Sequence, residues 1–112
     1  MTTNIPLEIT ILGCGTSAGV PMIGTGFGKC DAENPKNRRR RCSIVIESLG
    51  TKENLGTKIL VDCGPDIKDQ IVEFGACNFD ALFITHEHAD HVHGIDDLRW
   101  VCKANNLSLI HI

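Results

Sequence analysis

The sequence of 112 residues is poor in aromatic side chains, which make up 4% of it, and it contains no tyrosine. A hydrophobic core must therefore be built mainly from Ile, Leu, Val and Cys. The sequence also lacks a long apolar run and a positively charged amino-terminal segment, so we expect neither a membrane span nor a signal peptide. Its net charge of −3 gives no overall attraction to nucleic acids or anionic membranes.

The six cysteines could form a disulfide framework in a small secreted domain. However, Cys42, Cys77 and Cys102 fall in predicted strands or helices, where a thiol behaves as a small apolar side chain. Cys14 and Cys30 could be metal ligands, but neither belongs to a C-x-x-C pair. We therefore expect free thiols and a reducing, cytoplasmic location.

The hydrophobic pattern predicts one domain, over residues 1–112, in the order β–loop–β–β–α–β–α–β. Predicted strands cover 7–12, 42–49, 58–61, 79–85 and 107–112, and predicted helices begin near Pro65 and Asp96. The second and third strands are separated by a short polar turn, which predicts a hairpin. Strands followed by helices indicate an α/β class, with helices on one face of a sheet.

The most informative segment is Thr85-His86-Glu87-His88-Ala89-Asp90-His91, which follows the apolar run 81–84. Side chains at positions i and i+2 of an extended segment point to the same side, so His86 and His88 can approach one cation. A turn after Ala89 brings Asp90 and His91 to a second cation. Imidazole and carboxylate are ligands that suit zinc, manganese or iron, so the segment predicts a site for divalent metal.

Two metal ions in such a site would activate a water molecule as the nucleophile, and Asp90 could orient that water or carry its proton. Asp62 ends the neighbouring predicted strand, and we expect its carboxylate to hold a ligand histidine or the loop backbone. It could also be a simple turn residue. His93 supports the site from outside the metal ligands or is merely local. His111 is a poor candidate ligand.

Four ligands are too few for two ions, because a catalytic zinc uses three protein ligands and a water. The missing ligands imply a longer parent chain, a partner chain or an incomplete site.

The run Arg38-Arg39-Arg40-Arg41 precedes the second predicted strand. Alternate guanidinium groups could bind the phosphate of a substrate, since guanidinium binds phosphate bidentately. A solvated loop or a nonspecific nucleic-acid patch remains the alternative.

The segment 85–91 matches the metal motif of metallo-β-lactamase-fold hydrolases. The segments 12–21, 37–43 and 96–99 resemble a branch that contains phosphoribosyl cyclic-phosphate phosphodiesterases of phosphonate breakdown, related to tRNA 3′-processing nucleases. The resemblance implies one half of a four-layer αββα sandwich. It also implies that His86 and His88 bind the first metal, and Asp90 and His91 the second, with zinc or manganese as the ions.

The later ligands of this superfamily have no counterpart in the sequence. The resemblance thus implies a truncated, amino-terminal half with one uncovered sheet face, which we expect to form a homodimer or to bind a complementing carboxy-terminal half. Some members of the phosphonate branch carry a cysteine cluster for a structural zinc in the loop 22–34. Only Cys30 is present there, so we do not expect this zinc.

These observations predict a phosphodiesterase that acts on a small cyclic phosphate or a nucleotide-like ester, although activity of this chain alone is in question. One alternative is a nonenzymatic metal-binding half-domain. Another is an RNA-processing nuclease or nucleic-acid binder that uses Arg38 to Arg41, a partner that the net charge does not favour.

Overall fold

The computed structural model describes residues 6–51 and 56–105. Four strands and three helices form the framework: β1 (Leu7–Gly13), β2 (Ser43–Ser48), β3 (Lys58–Val61), α1 (Ile67–Phe74), β4 (Ala81–Phe83), α2 (Ala89–Val92) and α3 (Leu98–Ala104). Short 3₁₀ turns cover Pro35–Asn37 and Ile95–Asp97. Strands and helices alternate after β3, and the predicted α/β class is confirmed.

The four strands form one sheet in the order β1-β2-β3-β4. The first three are antiparallel neighbours, whereas β4 lies parallel to β3. The predicted hairpin is therefore present as β2 and β3. The parallel pair β3–β4 is joined through α1, as parallel strands require a crossover connection. This crossover brings the ends of β3 and β4 together at one edge of the sheet.

The core lies between the helices and one face of the sheet. Val45 and Leu60 from the sheet contact the helical layer and are essentially inaccessible to water. Ile67 of α1 and Leu98 of α3 supply the facing apolar side chains. The helix α1 ends at Gly75, whose φ of 83° is the left-handed conformation that glycine favours at this position. The helices thus cover one sheet face.

Two elements differ from the sequence prediction. The strand β4 has three residues rather than the seven predicted over 79–85, because the amide of Thr85 donates to the Asp62 carboxylate and not to a strand partner. The helix α2 was not predicted, since its four residues are too short to show a helical period.

The predicted strand at 107–112 lies outside the described residues. Within the described part of the chain, no helix has the length and apolar character needed to span a membrane.

The long connection between β1 and β2 is held by backbone hydrogen bonds. Val20 and Arg39 exchange two of them, at 2.8 and 2.9 Å, and the amide of Gly15 donates to the carbonyl of Arg40 at 2.7 Å. A side chain at Gly15 would clash with this strand, since a Cβ there would lie 2.8 Å from the same carbonyl oxygen. The arginine run is therefore fixed along the glycine-rich segment that follows β1.

Candidate functional site

Asp62 lies where β3 ends, next to the end of β4. Its φ of 62° is left-handed, a conformation that Asp adopts more readily than most residues. Its amide donates to the carbonyl of Phe83 at 2.8 Å, so the last bond between the two strands turns the Asp62 side chain toward the histidine segment. The side chain is almost fully buried there, with 6% of its surface exposed.

The Asp62 carboxylate accepts three hydrogen bonds. The amide and the hydroxyl of Thr85 each donate at 2.8 Å, and Nδ1 of His91 lies 2.6 Å from Oδ2. Burial alone would raise the pKa of Asp62, but the hydrogen bonds from Thr85 and His91 and the charge of His91 together lower it below its ordinary value. Asp62 is therefore an ionised acceptor at neutral pH.

This acceptor determines the tautomers of two histidines. A carboxylate cannot donate, so His91 must carry its proton on Nδ1. Thr85 has only one hydroxyl proton and gives it to Asp62, so its oxygen must accept from Nδ1 of His86, which lies 2.9 Å away. When these rings are neutral, as in a histidine that binds a metal, Nε2 is therefore the nitrogen that carries the lone pair.

The rings of the three motif histidines lie together. The ring centroid of His86 is 4.6 Å from that of His88 and 4.0 Å from that of His91. Asp90 Oδ2 and His91 Nε2 lie 3.1 Å apart. This separation suits two ligands that each lie about 2.0–2.2 Å from a shared zinc ion. The structure thus gathers all four residues of the predicted metal site.

The gathered side chains do not form a complete ligand set. Within residues 6–51 and 56–105, no group of three or more His, Cys, Asp or Glu side chains is placed to hold one metal ion. The donor types fit zinc or manganese, and the pair Asp90–His91 has a suitable spacing, but two donors per ion fall short of the three that a catalytic zinc uses. Metal binding by this segment stays a prediction.

The backbone beneath the histidines is packed closely. The amide of Cys63 donates to the carbonyl of His91, and the amide of Gly94 donates to the carbonyl of Cys63, both at 2.9 Å. A Cβ at Gly64 would lie 2.1 Å from the carbonyl oxygen of Asp90, closer than any side chain allows. Glycine at this position therefore lets the segment after β3 serve as a rigid support for Asp90 and His91.

Cys63 lies within this support but has no nucleophilic character. Its side chain is fully buried, and burial together with the negative charge of Asp62 raises the pKa of the thiol to about 11. The thiol is therefore neutral at pH 7, and a neutral thiol is a poor metal ligand and a poor nucleophile. All six cysteines are free thiols in the structure.

The arginine run divides into two pairs. Arg40 forms an ion pair with Glu73, and the guanidinium Nε of Arg41 lies 3.2 Å from Asp66 Oδ2, which also accepts the amide of Arg41 at 2.9 Å.

Arg38 and Arg39 are exposed and engage no acid among the described residues. Arg38 stacks over the ring of Phe27, with its guanidinium carbon 5.4 Å from the ring centroid, and Arg39 lies 3.5 Å from the sulfur of Cys14. The arginines therefore do not form a uniform basic patch.

Thr85 connects Asp62 to His86, a role that its place in the sequence does not predict. The sequence shows that Thr85 stands directly before the first motif histidine. It does not show the contact with Asp62, which lies 23 residues earlier in the chain. His93 is exposed at the end of α2, where its amide donates to the carbonyl of Ala89. The structure thus connects Asp62, but not the His93 side chain, to the histidine cluster.

Solved structures support the fold expected from the resemblance. A diphosphatase of the PhnP family aligns over 92% of this chain and 39% of its own, with 34% sequence identity and a TM-score of 0.73. The metallo-β-lactamase fold protein YhfI from Bacillus subtilis aligns over 90% of this chain and 32% of its own, with 20% identity and a TM-score of 0.57. The predicted relation to metallo-β-lactamase-fold proteins is confirmed.

Curated relatives include proteins with different names. An octanoyltransferase from Porphyromonas gingivalis is 40% identical over 103 residues, which are 92% of this chain and 20% of that protein. A ribonuclease Z from Methanopyrus kandleri is 38% identical over 92 residues, which are 80% of this chain and 27% of that protein. The chain therefore spans well under a third of either relative. The expected relation to tRNA 3′-processing nucleases is supported by the second.

A family model described as anti-Pycsar protein Apyc1 matches residues 22–110, a stretch that contains the arginine run, Asp62 and the whole histidine segment. This stretch is more than half of the chain. The protein therefore belongs to the Apyc1 family of anti-Pycsar proteins, with the metallo-β-lactamase fold.

Proposed function

We propose that this chain carries part of the catalytic site of a metal-dependent phosphodiesterase, with a small cyclic phosphate or a nucleotide-like ester as substrate. The observation that carries the proposal is the hydrogen-bond network of Asp62, which leaves Nε2 of both His86 and His91 free to bind a metal. The relatives also favour phosphoester chemistry, since a diphosphatase and a ribonuclease are among them.

In the proposed site His86 and His88 bind one divalent ion, and Asp90 and His91 bind a second. These four residues would hold the ions, and bound metal would lower the pKa of a water molecule there so that hydroxide is available near neutral pH. Asp90 orients the attacking water and accepts its proton, because its carboxylate lies beside His91 and is partly buried. Asp62 keeps the two ligand rings in place and does not contact the substrate.

Zinc and manganese are the proposed ions. Imidazole and carboxylate suit both, and a structural neighbour, PqqB from Methylobacterium extorquens, is described as Zn(2+)-bound. That neighbour is 23% identical and aligns with a TM-score of 0.52, over 81% of this chain and 33% of its own. We also propose a cytoplasmic location, which fits the free thiols.

The phosphate contact is proposed for Arg38 and Arg39 only. Arg40 and Arg41 are already neutralised by Glu73 and Asp66, so a phosphate would have to displace a carboxylate to bind them. Arg39 borders a cavity of about 630 Å³ that also exposes Gly13 and Cys14. A cavity of this size fits a small ligand.

A nonenzymatic metal-binding half-domain is the second candidate, and the two ligands per ion favour it. An RNA-processing nuclease is the third, favoured by the exposed Arg38 and Arg39 and by the ribonuclease relative. Binding of RNA through phosphates would weaken steeply with salt, and replacing Arg38 and Arg39 would flatten that dependence.

The test begins with metal content per purified chain, measured by elemental mass spectrometry after dialysis against trace zinc and manganese. About two ions per chain, together with metal-dependent hydrolysis of bis(p-nitrophenyl) phosphate, would support the enzyme.

In the Asp90→Asn variant we expect hydrolysis to fall by about 100-fold or more, as for loss of a general base. The matched control is Asp96→Asn, because Asp96 is an exposed acid six residues away that pairs with Arg99. Equal activity in the two variants would refute the proposed role of Asp90. Bound metal without any turnover would favour the half-domain.

A further inference from the structure

Two side chains at the start of α1 hold the last arginine of the run by both of its backbone groups. The amide of Arg41 donates to Oδ2 of Asp66, and the carbonyl of Arg41 accepts a hydrogen bond from Nε2 of Gln70, both at 2.9 Å. Asp66 and Gln70 lie one helical turn apart, since the amide of Gln70 donates to the carbonyl of Asp66 at 3.0 Å. The helix therefore fixes the position of Arg41 from two successive turns.

Gln70 is buried to an extent that is rare for its residue type, with 2% of its surface exposed. An apolar side chain of the same length would gain the same burial without the cost of removing an amide from water. The hydrogen bond to the carbonyl of Arg41 offsets that cost, and its loss would leave a buried donor unpaired. Packing of the core alone does not require this amide, so its contribution lies at Arg41.

Asp66 directly precedes α1, where a carboxylate commonly accepts one of the first free amides of a helix. Among the described residues, its side chain makes no such capping bond. Its Oδ2 accepts the amide of Arg41 instead and lies 3.2 Å from Nε of the same arginine. The carboxylate thus stabilises the position of Arg41 rather than the end of the helix.

The contact between Gln70 and Arg41 requires glycine at the end of β1. A Cβ at Gly13 would lie 2.6 Å from Nε2 of Gln70 and 2.1 Å from the carbonyl oxygen of Arg41, which is closer than any side chain allows. The end of β1, the arginine run and α1 therefore meet at this one hydrogen bond.

The first turn of α1 also contacts the backbone that supports the histidine segment. The amide of Ile67 donates to the carbonyl of Gly64 at 3.1 Å. A Cβ at Gly64 would lie 2.1 Å from the carbonyl oxygen of Asp90 and 3.7 Å from Cβ of Arg41. The start of α1 is therefore in contact both with the arginine run and with the support of the predicted metal site.

We propose that Gln70 is a positioning residue, which holds the phosphate-binding arginines at a fixed place relative to the histidine segment. This inference rests on the proposed function, in which Arg39 contacts the phosphate of the substrate. Arg39 lies two residues before Arg41, and both border the cavity described above. Gln70 acts on Arg39 through the carbonyl of Arg41, and Asp66 acts on it through the amide of Arg41. Neither side chain contacts the substrate itself.

The test compares Gln70→Met with the wild-type chain at saturating zinc or manganese. Methionine keeps the length of the side chain but cannot donate to Arg41. We expect KM for bis(p-nitrophenyl) phosphate to rise about 10-fold, as for loss of one hydrogen bond to a charged group. The kcat should stay within about twofold, because a phosphate contact is lost from the ground state and the transition state alike. Zinc affinity should not change, because the hydrogen bond that is removed lies at Arg41.

Ile71→Val is the matched control. Ile71 is the next residue of α1 and packs against the hydrophobic core, so this variant disturbs the core and keeps the hydrogen bonds of Arg41. At a temperature well below unfolding, it should leave KM and kcat at their wild-type values. Asp66→Ala provides a second disrupting variant if Gln70→Met misfolds, and it should raise KM as well, because the amide of Arg41 loses its acceptor.

A wild-type chain that binds metal and hydrolyses nothing would argue against the proposed function alone. Inorganic phosphate, titrated by calorimetry, then replaces the substrate, and Gln70→Met should weaken its binding about 10-fold.

Three results would overturn the positioning role. One is a wild-type chain that neither hydrolyses the substrate nor binds phosphate. The second is a KM or a phosphate affinity that stays at the wild-type value in the disrupting variants that fold. The third is an equal change in Ile71→Val or a matching loss of zinc affinity in Gln70→Met, since either would show that Gln70 acts through the stability of the whole site.

Discussion

The two faces of the sheet differ in composition, since the helix-covered face carries Glu8, Glu47 and Lys58 beside its aliphatic residues, whereas the opposite face is almost entirely aliphatic. On the helix-covered face Val45 and Leu60 are inaccessible to water. On the opposite face of the sheet, Ile9 and Phe83 are mostly exposed. The strand sequences alone would favour burial of the opposite face, which has no charged residue along Ile9, Ile46 and Ile59 or along Ile11, Ile44 and Val61. The difference teaches that, among the described residues, the position of the helices and not the apolar content of the strands determines which sheet face is buried.

The first prediction compares one side chain from each face. Leu60→Ala should lower the free energy of unfolding by about 2–5 kcal/mol, because it leaves a cavity in the core. Ile9→Ala should change it by about 0.5 kcal/mol or less, because the Ile9 side chain is mostly exposed. Chemical denaturation of both variants measures the two values. Equal losses would mean that the faces do not differ in the isolated chain.

The position of the site follows from the same comparison. Asp62 and the histidine segment lie at the edge of the sheet where β3 and β4 end together, between the helix-covered face and the opposite face. On the side of the helices, the backbone at Cys63 and Gly64 supports the histidine segment. The His86 ring is half-buried and the His88 ring is exposed. The described residues thus build the support of the site from the helix side.

The second prediction concerns the replacement of Asp62, which lies where β3 and β4 end. Asp62→Ala should lower the free energy of unfolding by about 1–3 kcal/mol, because the Thr85 amide and the His91 ring would lose a buried acceptor. It should also weaken zinc binding about 10–100-fold, as loss of a carboxylate behind a ligand histidine does.

Asp62→Asn is the control for charge. Asn tolerates the left-handed conformation at this position and keeps one oxygen for the Thr85 amide, so it should fall between Ala and the wild type in both measurements. Calorimetry and zinc titration measure these effects. Zinc affinity unchanged in the Ala variant would show that Asp62 is a structural residue without influence on the ligands.

Much of this arrangement could be predicted from the sequence. The strands β1, β2 and β3 and the helix α1 lie within two residues of the predicted bounds, because their apolar periods are regular. The predicted metal site was visible in the sequence as the local spacing of three histidines and an aspartate in residues 86–91. The contact of Asp62 with the segment was also expected, since the two lie at the ends of neighbouring predicted strands.

The rest depends on contacts between distant parts of the chain. The pairing of Arg40 with Glu73 spans 33 positions, and that of Arg41 with Asp66 spans 25. The sequence therefore did not show that two of the four arginines form ion pairs and the other two do not. The short helix α2 has no helical period in the sequence, and the carbonyl of its His91 accepts a hydrogen bond from the distant amide of Cys63. Likewise, only the strand register shows that the apolar side chains on the sheet face opposite the helices form one surface.

The third prediction concerns the rigid support on the helix side. Gly64→Ala should lower the free energy of unfolding by about 1–3 kcal/mol, because its Cβ would overlap the backbone of Asp90. Zinc affinity should fall as well, since Asp90 and His91 would shift together. In the control, Gly24→Ala, the new Cβ meets nothing within 4 Å and the loss should be about 1 kcal/mol from its positive φ alone, with zinc affinity unchanged.

The last prediction uses the unmodified sequence and compares cysteines on the surface with the cysteine buried behind the histidine segment. Cys14 and Cys30 are exposed, whereas Cys63 is buried and burial raises its pKa to about 11. Since the thiolate is the reactive form, iodoacetamide at pH 8 should alkylate Cys14 and Cys30 first and leave Cys63 intact until the protein unfolds. Peptide mass spectrometry after timed quenching follows each site. Alkylation of Cys63 at the rate of Cys14 would show that the segment behind the histidines opens readily in solution, and it would remove the rigid support on which the proposed site depends.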